Sequence, residues 1–324
     1  MKIGVIGAGR WGANIVRTCA ELGVLESVCD ANEGAMAALA EQYPQIGLEL
    51  EVHSLLERDI DAVAIAAPVA LHAELALEAI GAGKHVFVEK PLAMGADDAA
   101  LVVRAARGRG VTLFVGHVLL YHPAVQRSLE LIREGAIGDV RHVRSRRLSW
   151  GTLRSNENVW WSFAPHDIAL ALEIFGELPM TASGAEHAFV QPNIADFAYA
   201  DLRFTQGRSA HIEVSWLDPD KSSRLDIFGS NGVLTLIDSR EGATLSLTPC
   251  GTHTDGSGKP FLWREETREV AFTPTQPLTA ELRAFIENVK TGTRPLTDGE
   301  NGLAVVQVLS MLGRSRRPSL EEIA

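Results

Sequence analysis

Apolar positions in the first third of the chain follow two alternating rhythms. Short runs rich in Val, Ile and Ala occur at Ile3 to Ile6, Leu25 to Cys29, Ala62 to Ala66, His85 to Val88 and Thr112 to Val115. Between them apolar residues recur at i, i+3 and i+4, as in Ile15, Val16 and Cys19, then Met36, Leu39 and Tyr43, then Leu75, Ala76, Ala79 and Ile80. Runs without polar alternation suit strands covered on both faces, and the helix-period stretches supply crossovers. The pattern therefore predicts an α/β Rossmann domain, a doubly wound parallel sheet, over residues 1–121. From His122 a helix to about Glu134 leads through Gly135 and Gly138 into a region of period two. There Ala198, Ala200, Leu202 and Phe204 alternate with Tyr199, Asp201 and Arg203, and Ile212, Val214 and Trp216 alternate with His211, Glu213 and Ser215. This predicts an α+β domain with a large, mostly antiparallel open sheet over 122–324. Gly207 and Ser230-Asn231-Gly232 supply turns, and Gly251 to Gly258 reads as a solvent loop. Helices over Leu278 to Lys290 and Gly302 to Leu312 close the chain and are expected to pack back on the first domain. The basic end Arg314-Ser315-Arg316-Arg317 reads as a solvated helix terminus.

Composition narrows the classes of function. The 324 residues suffice for about two domains with apolar cores. Thirty Lys+Arg against 41 Asp+Glu give a net charge of −11, which disfavours nucleic acid or acidic lipid as partners and requires a local basic pocket for any anionic ligand. Cys19, Cys29 and Cys250 are odd in number and lack Cys-x-x-Cys spacing, so neither a disulfide framework nor a metal cluster is indicated and a reducing cytoplasm fits. The longest apolar run, Ala62 to Leu71, contains Pro68 and is about half of the roughly 20 residues that a membrane span needs. The apolar start, Ile3 to Ile6, is too short for a signal peptide.

Gly7-Ala8-Gly9-Arg10-Trp11-Gly12 follows the first strand and opens the first helix, the context in which Gly-x-Gly-x-x-Gly reads as a dinucleotide site. Gly7 permits the tight turn, Gly9 lets the backbone approach a pyrophosphate, and Gly12 lets helix and strand pack closely, with the helix amino terminus toward the phosphates. Asp30 ends the second strand 18 residues after Gly12. A carboxylate there accepts from the adenosine ribose hydroxyls and repels a 2′-phosphate, which favours NAD over NADP. Arg10 keeps NADP open, and Asp30 has the alternative of capping the helix that begins near Asn32-Glu33.

Gly83 to Pro91 places an apolar strand directly before Glu89, Lys90 and Pro91, at the carboxyl end where open α/β sheets bind ligands. Glu89 and Lys90 are otherwise solvated residues at a strand end. Pro68 and His72 lie at the same edge, where His72 either borders the cofactor or caps a helix starting near Leu71. His117 and Tyr121 follow the last strand of the first domain and are within reach of a cleft, with interdomain packing as the other reading of Tyr121. His166, within Trp160-Trp161-Ser162-Phe163-Ala164-Pro165-His166-Asp167, suits proton transfer near neutral pH. A structural histidine with Asp167 as helix cap is the alternative.

Together these residues resemble the Gfo/Idh/MocA sugar and polyol dehydrogenases. The resemblance runs through Gly7 to Gly12, Ala66-Ala67-Pro68 with His72, Gly83 to Pro91, Gly116 to Pro123, and His166-Asp167 before Phe175-Gly176. It implies that Lys90 lies beside the nicotinamide and the reacting hydroxyl, and that the bond before Pro91 is cis. Many members carry an aspartate four residues before the histidine. Ser162 stands there instead, which shifts acid–base weight to His166 with Lys90. Physically, an ammonium donating to a secondary hydroxyl stabilises the alkoxide character that develops as hydride departs.

Arg141, His142, Arg144, Arg146 and Arg147 crowd one strand and are followed by Arg154, Asn156 and Asn158. Arginine matches phosphate geometry, yet arginines on both faces of a strand cannot all meet one ligand. Glu157 to Asp167 resembles the branch acting on UDP-linked N-acetylamino sugars, the UDP-N-acetylglucosamine 3-dehydrogenases and their uronic-acid relatives. That likeness implies oxidation at C3 to a ketone used by an aminotransferase, with Arg154, Asn158 and Trp161 contacting sugar or diphosphate; Arg147 of the arginine-rich strand, His117, Tyr121 and His166 are the further candidate substrate contacts. The alternatives are a dehydrogenase of a free sugar or inositol, and a noncatalytic dinucleotide-binding regulator. If Trp216 and Phe204 mark an exposed apolar face, the open sheet pairs in a homodimer or homotetramer.

Overall fold

The computed structural model describes residues 1–151, 153–155, 157–239 and 241–314. Asn156, in the stretch singled out for substrate contacts, and Ser315, Arg316 and Arg317 of the basic end lie outside the described residues. The chain divides into two compact units, residues 1–121 with 276–307, and residues 122–275 with 308 onward.

The first unit begins β1 (Ile3–Ile6), α1 (Gly12–Glu21), β2 (Leu25–Cys29), α2 (Glu33–Gln42), β3 (Gly47–Glu49), α3 (Val52–Leu56), β4 (Ala62–Ile65), α4 (His72–Gly81), β5 (His85–Glu89), α5 (Ala96–Arg109) and β6 (Leu113–Gly116). The six strands form one sheet in the order β3-β2-β1-β4-β5-β6, every pair parallel. β1, β4 and β6 are buried at every position, as runs without polar alternation require of a sheet covered on both faces. β3 and α3 escaped the sequence reading, because Gly47-Leu48-Glu49 and Val52 to Leu56 are too short to carry a period.

The second unit comprises α6 (Pro123–Arg133), β7 (Val140–Trp150), α7 (Val159–Phe175), β8 (Thr181–His187), β9 (Phe197–Arg203), β10 (Ser209–Ser215), β11 (Leu217–Gly229), β12 (Gly232–Ser239), β13 (Gly242–Thr254), β14 (Pro260–Arg264) and β15 (Arg268–Glu269). The sheet order is β14-β13-β12-β11-β7-β10-β9-β8, with β15 on β13. It is antiparallel except where β10 runs parallel to β7. Gly251 to Gly258 is not one solvent loop: β13 continues to Thr254 and pairs with β14, leaving a turn around Asp255 and Gly258. Glycines masked the strand there, since local composition does not register the cross-strand hydrogen bonds.

Trp216 and Phe204 do not mark an open apolar face. Both are buried, and α7 covers them: Phe163 meets Trp216 edge-on at 6.4 Å and Phe175 lies 4.4 Å from Phe204. The opposite face mixes half-buried rings, Phe197, Tyr199 and Phe228, with ion pairs. Asp226 accepts from Arg144, Arg224 and Thr235, and His211 pairs with Asp201.

Two helices close the chain, α8 (Pro277–Thr291) and α9 (Gly299–Arg314). α8 belongs to the first unit, where Phe285 packs edge-on against Phe87 at 5.8 Å and Phe114 at 5.6 Å. Among the described residues, no helix is long and apolar enough to cross a membrane, and no group of three His, Cys, Asp or Glu side chains could hold a metal ion.

Candidate active site

In the first unit the β1–α1 loop has the shape that a dinucleotide requires. Gly7 has φ +96°, and a side chain there would press on the Ala66 carbonyl at 2.7 Å. At Gly12 a Cβ would collide with the Gly7 carbonyl, whereas at Gly9 it would meet nothing within 4 Å, leaving the backbone open to a ligand. α1 begins without a side-chain cap or an acidic residue in its first turn; the Ala13 N–H is taken by the Gly9 carbonyl and the Asn14 N–H by that of Trp11, which leaves the N–H groups ahead of Ala13 for an anion. Asp30 braces this loop from β2: one oxygen accepts from the Ala8 N–H at 2.6 Å and the other from the Asn32 N–H at 2.8 Å. The helix cap itself is Asn32, which accepts from the Ala35 N–H. An ionised carboxylate has about four acceptor sites, so two contacts leave room for ribose hydroxyls. Arg10 is exposed, and Trp11, also exposed, donates its indole N–H to Glu89 Oε1 at 2.5 Å.

At the carboxyl ends of β4 and β5 the polypeptide is held from behind. The Lys90–Pro91 bond is cis, as the family resemblance implied. His72 is buried, with Nδ1 2.8 Å from the Pro91 carbonyl oxygen and Nε2 2.9 Å from that of Ala67. Both ring nitrogens are thus occupied with backbone, which makes His72 a brace for the turn after Lys90. Burial pushes its pKa down despite the two carbonyls. Pro68 is exposed and opens the single turn Val69–Leu71 ahead of α4. Glu89 is buried, and desolvation pushes it up to about 7 against the opposing influence of Trp11 and Lys90. Lys90 is half-buried at the strand end. His117 is fully buried and pushed down to about 3, first by desolvation and then by the Lys90 charge, so it is a neutral imidazole. Tyr121 packs on Phe114 at 5.6 Å and its hydroxyl is 3.2 Å from Thr297 Oγ1, a role inside the first unit.

In the second unit α7 carries the remaining residues. Asn158 caps it by accepting from the Trp161 N–H at 3.0 Å and donates its amide to Glu186 at 2.7 Å. Trp160 is core, donating to the Leu309 carbonyl, whereas Trp161 is half-buried. Pro165 sits inside the helix just before half-buried His166. Lacking an N–H, it cannot bond to the Trp161 carbonyl one turn earlier. Asp167 is no helix cap. It is buried at mid-helix and accepts from Ser145 Oγ at 2.6 Å and from Arg147 through Nε at 2.9 Å and Nη2 at 3.0 Å. This bidentate pairing commits the guanidinium expected at the substrate to anchoring α7 on β7. Arg154 pairs with Glu157, its neighbour three residues on. Sequence reasoning missed Glu281 of α8, fully buried in the first unit. The signal was a lone acidic residue among the apolar positions Leu278, Leu282, Phe285 and Ile286.

A parallel six-stranded sheet with a glycine-rich first turn, an acidic residue ending β2 and charged residues closing β5 defines the class of NAD-binding oxidoreductases with a Rossmann domain. Residues 1–117 match the family model described as the oxidoreductase family, NAD-binding Rossmann fold, and residues 125–235 match the GFO/IDH/MocA C-terminal domain. The chain belongs to the Gfo/Idh/MocA family. It is 27% identical to myo-inositol 2-dehydrogenase of Thermotoga maritima over 99% of this chain and 97% of that protein. It is 29% identical to UDP-N-acetylglucosamine 3-dehydrogenase of Acidithiobacillus ferrooxidans over 70% of this chain and 71% of that protein. The solved structure of the latter superposes with a TM-score of 0.86 at 26% identity, covering 97% of each chain.

Proposed function

We propose that the protein is an NAD-dependent dehydrogenase that oxidises the C3 hydroxyl of a UDP-linked N-acetylamino sugar, UDP-N-acetylglucosamine or its uronic acid, to a ketone. The observation carrying the dehydrogenase reading is Lys90: an ammonium set on the cis turn after β5, in the unit that holds the dinucleotide loop. The structural likeness to UDP-N-acetylglucosamine 3-dehydrogenase supports the choice of sugar.

NAD, when bound, supplies a hydride acceptor. Gly7, Gly9 and Gly12 with the start of α1 would hold its pyrophosphate, and Asp30 its adenosine ribose. Lys90 donates to the substrate oxygen and stabilises the negative charge that grows there as the C–H bond breaks. His166 accepts the hydroxyl proton, so hydride and proton leave separately and a carbonyl remains. Neutral His117 near Lys90 adds no competing positive charge. Asn158, Trp161 and Arg154 are the candidate sugar and diphosphate contacts. An aminotransferase is the class of enzyme that would consume the ketone.

A second reading, oxidation of a free polyol such as an inositol, is favoured by the full-length similarity to myo-inositol 2-dehydrogenase. NADH absorbance over a panel of UDP-sugars and free polyols decides between them. Turnover of UDP-N-acetylglucosamine or its uronic acid is expected, and turnover of inositol with no UDP-sugar active would overturn the substrate assignment.

A further inference from the structure

Glu281 stands in α8 with no exposed surface, and neither of its carboxylate oxygens has a hydrogen-bond partner among the described residues. An ionised carboxylate there would lose its hydration and receive no donor in return. The chemically consistent state is the neutral acid, which can donate a proton. Phe285, one turn after Glu281 in α8, packs on Phe87, which stands two residues before Glu89 on the same face of β5; Glu89, only 6% exposed, is the charged group that acts on Glu281. Glu89 is itself tightly held. Oε1 accepts from Trp11, Oε2 faces the Lys90 N–H at 3.3 Å, and its carboxyl rests so close to Gly116 that a methyl there would come within 3.0 Å of Oε1. α8 packs against α1 and the turn at Val118–Tyr121. From these surroundings His117 is neutral, Tyr121 is bonded to Thr297, and the Lys90 charge is felt by Glu89, His72 and His117. Burial, reinforced by Glu89, drives Glu281 well above the usual carboxyl range.

We propose that Glu281 and Glu89 form a buried carboxyl pair carrying one proton between them, and that Glu281, as a positioning residue acting through Glu89, sets the charge and placement of the Lys90–Pro91 turn. Like charges in a dry interior cannot both persist, so protons leave such a pair in two separated steps. One negative charge remains near neutrality, enough to hold the Trp11 indole and face the Lys90 N–H. The importance of that turn for turnover rests on the dehydrogenase reading above; the protonation of the pair does not.

Three measurements on the full chain test this. Infrared spectra at pH 7 should contain a protonated-carboxyl C=O band that disappears in Glu281→Gln; identical spectra would overturn the proposal. If that variant does not fold, Glu89→Gln replaces it: the band should persist there, and its loss would overturn the assignment to Glu281. Second, a group whose folded-state pKa lies above its unfolded value releases its proton on unfolding once pH exceeds the unfolded value. Between about pH 5.5 and 7 the wild-type unfolding constant should therefore climb with pH more steeply than that of Glu281→Gln, by about tenfold per pH unit; parallel lines would overturn the proposal. Third, the alkaline limb of NAD affinity, followed by tryptophan fluorescence, should be lost or move up by at least one pH unit in Glu281→Gln, because the pair's second proton, the one that leaves against a like charge, is then absent. An unmoved limb would overturn the positioning role. None of the three needs a substrate, so failure of the UDP-sugar panel leaves them readable.

Discussion

Lys90 follows a carboxyl whose pKa desolvation raises above the usual carboxylate range, and its turn is braced from behind by His72. Its role is separable from binding. Lys90→Ala should lower turnover by roughly 10²–10⁴-fold while NAD affinity stays within a few-fold, measured by NADH production and fluorescence titration; unchanged turnover would remove Lys90 from the chemistry. Asp30 braces the loop, since Ala8 donates to it, beside the ribose contact proposed for it. Asp30→Ala should weaken NAD by about tenfold and narrow its preference over NADP; an unaltered NAD/NADP ratio would limit Asp30 to bracing. Gly7 to Gly12, Asp30 and Glu89-Lys90-Pro91 were legible from sequence because each sits at a strand end, where a short motif has a defined geometric meaning. Glu281 was not, because nothing in α8 announces which carboxyl its buried face will meet.

At the scale of elements, α7 and α8 each depend on one long-range contact set. α7 is pinned to β7 by Asp167, 2% exposed on its side chain and paired with an Arg147 side chain that is 19% exposed. Removing one partner of such a pair leaves a buried charge uncompensated. Arg147→Ala should therefore cost about 3 kcal/mol in urea unfolding. If Arg147 instead served mainly the ligand, stability would barely move and KM would rise. α8 sets Phe285 edge-on against both Phe87 and Phe114, which stack on each other at 5.4 Å. Phe285→Ala should cost about 3–5 kcal/mol by the same assay, the range for deleting a buried aromatic ring. Period-two and period-3.6 patterns located most strands and helices within a residue or two. They missed β3 and α3, which are too short for a period, gave no bounds for α5, β8, β13 or β15, and missed β14, whose partner is the glycine and polar stretch that ends β13.

The whole molecule departs from a simple division of the chain into a first and a second half. Residues 276–307 return to the first unit and supply α8. A fragment ending at Tyr121 should consequently lack a cooperative thermal transition by circular dichroism and bind NAD poorly, since Phe87 and Phe114 would lose Phe285. A fragment that melts sharply and binds NAD would show that α8 is dispensable.

Local order along this chain determined the Rossmann alternation, the glycine turn, the acidic end of β2 and the charged end of β5, because each is specified by residues a few positions apart. Only the tertiary structure decided that Arg147 serves Asp167, that α7 covers Trp216 and Phe204, and that Glu281 shares an interior with Glu89. Those outcomes depend on desolvation and on contacts between residues distant in sequence, and neither leaves a periodic trace in the chain itself.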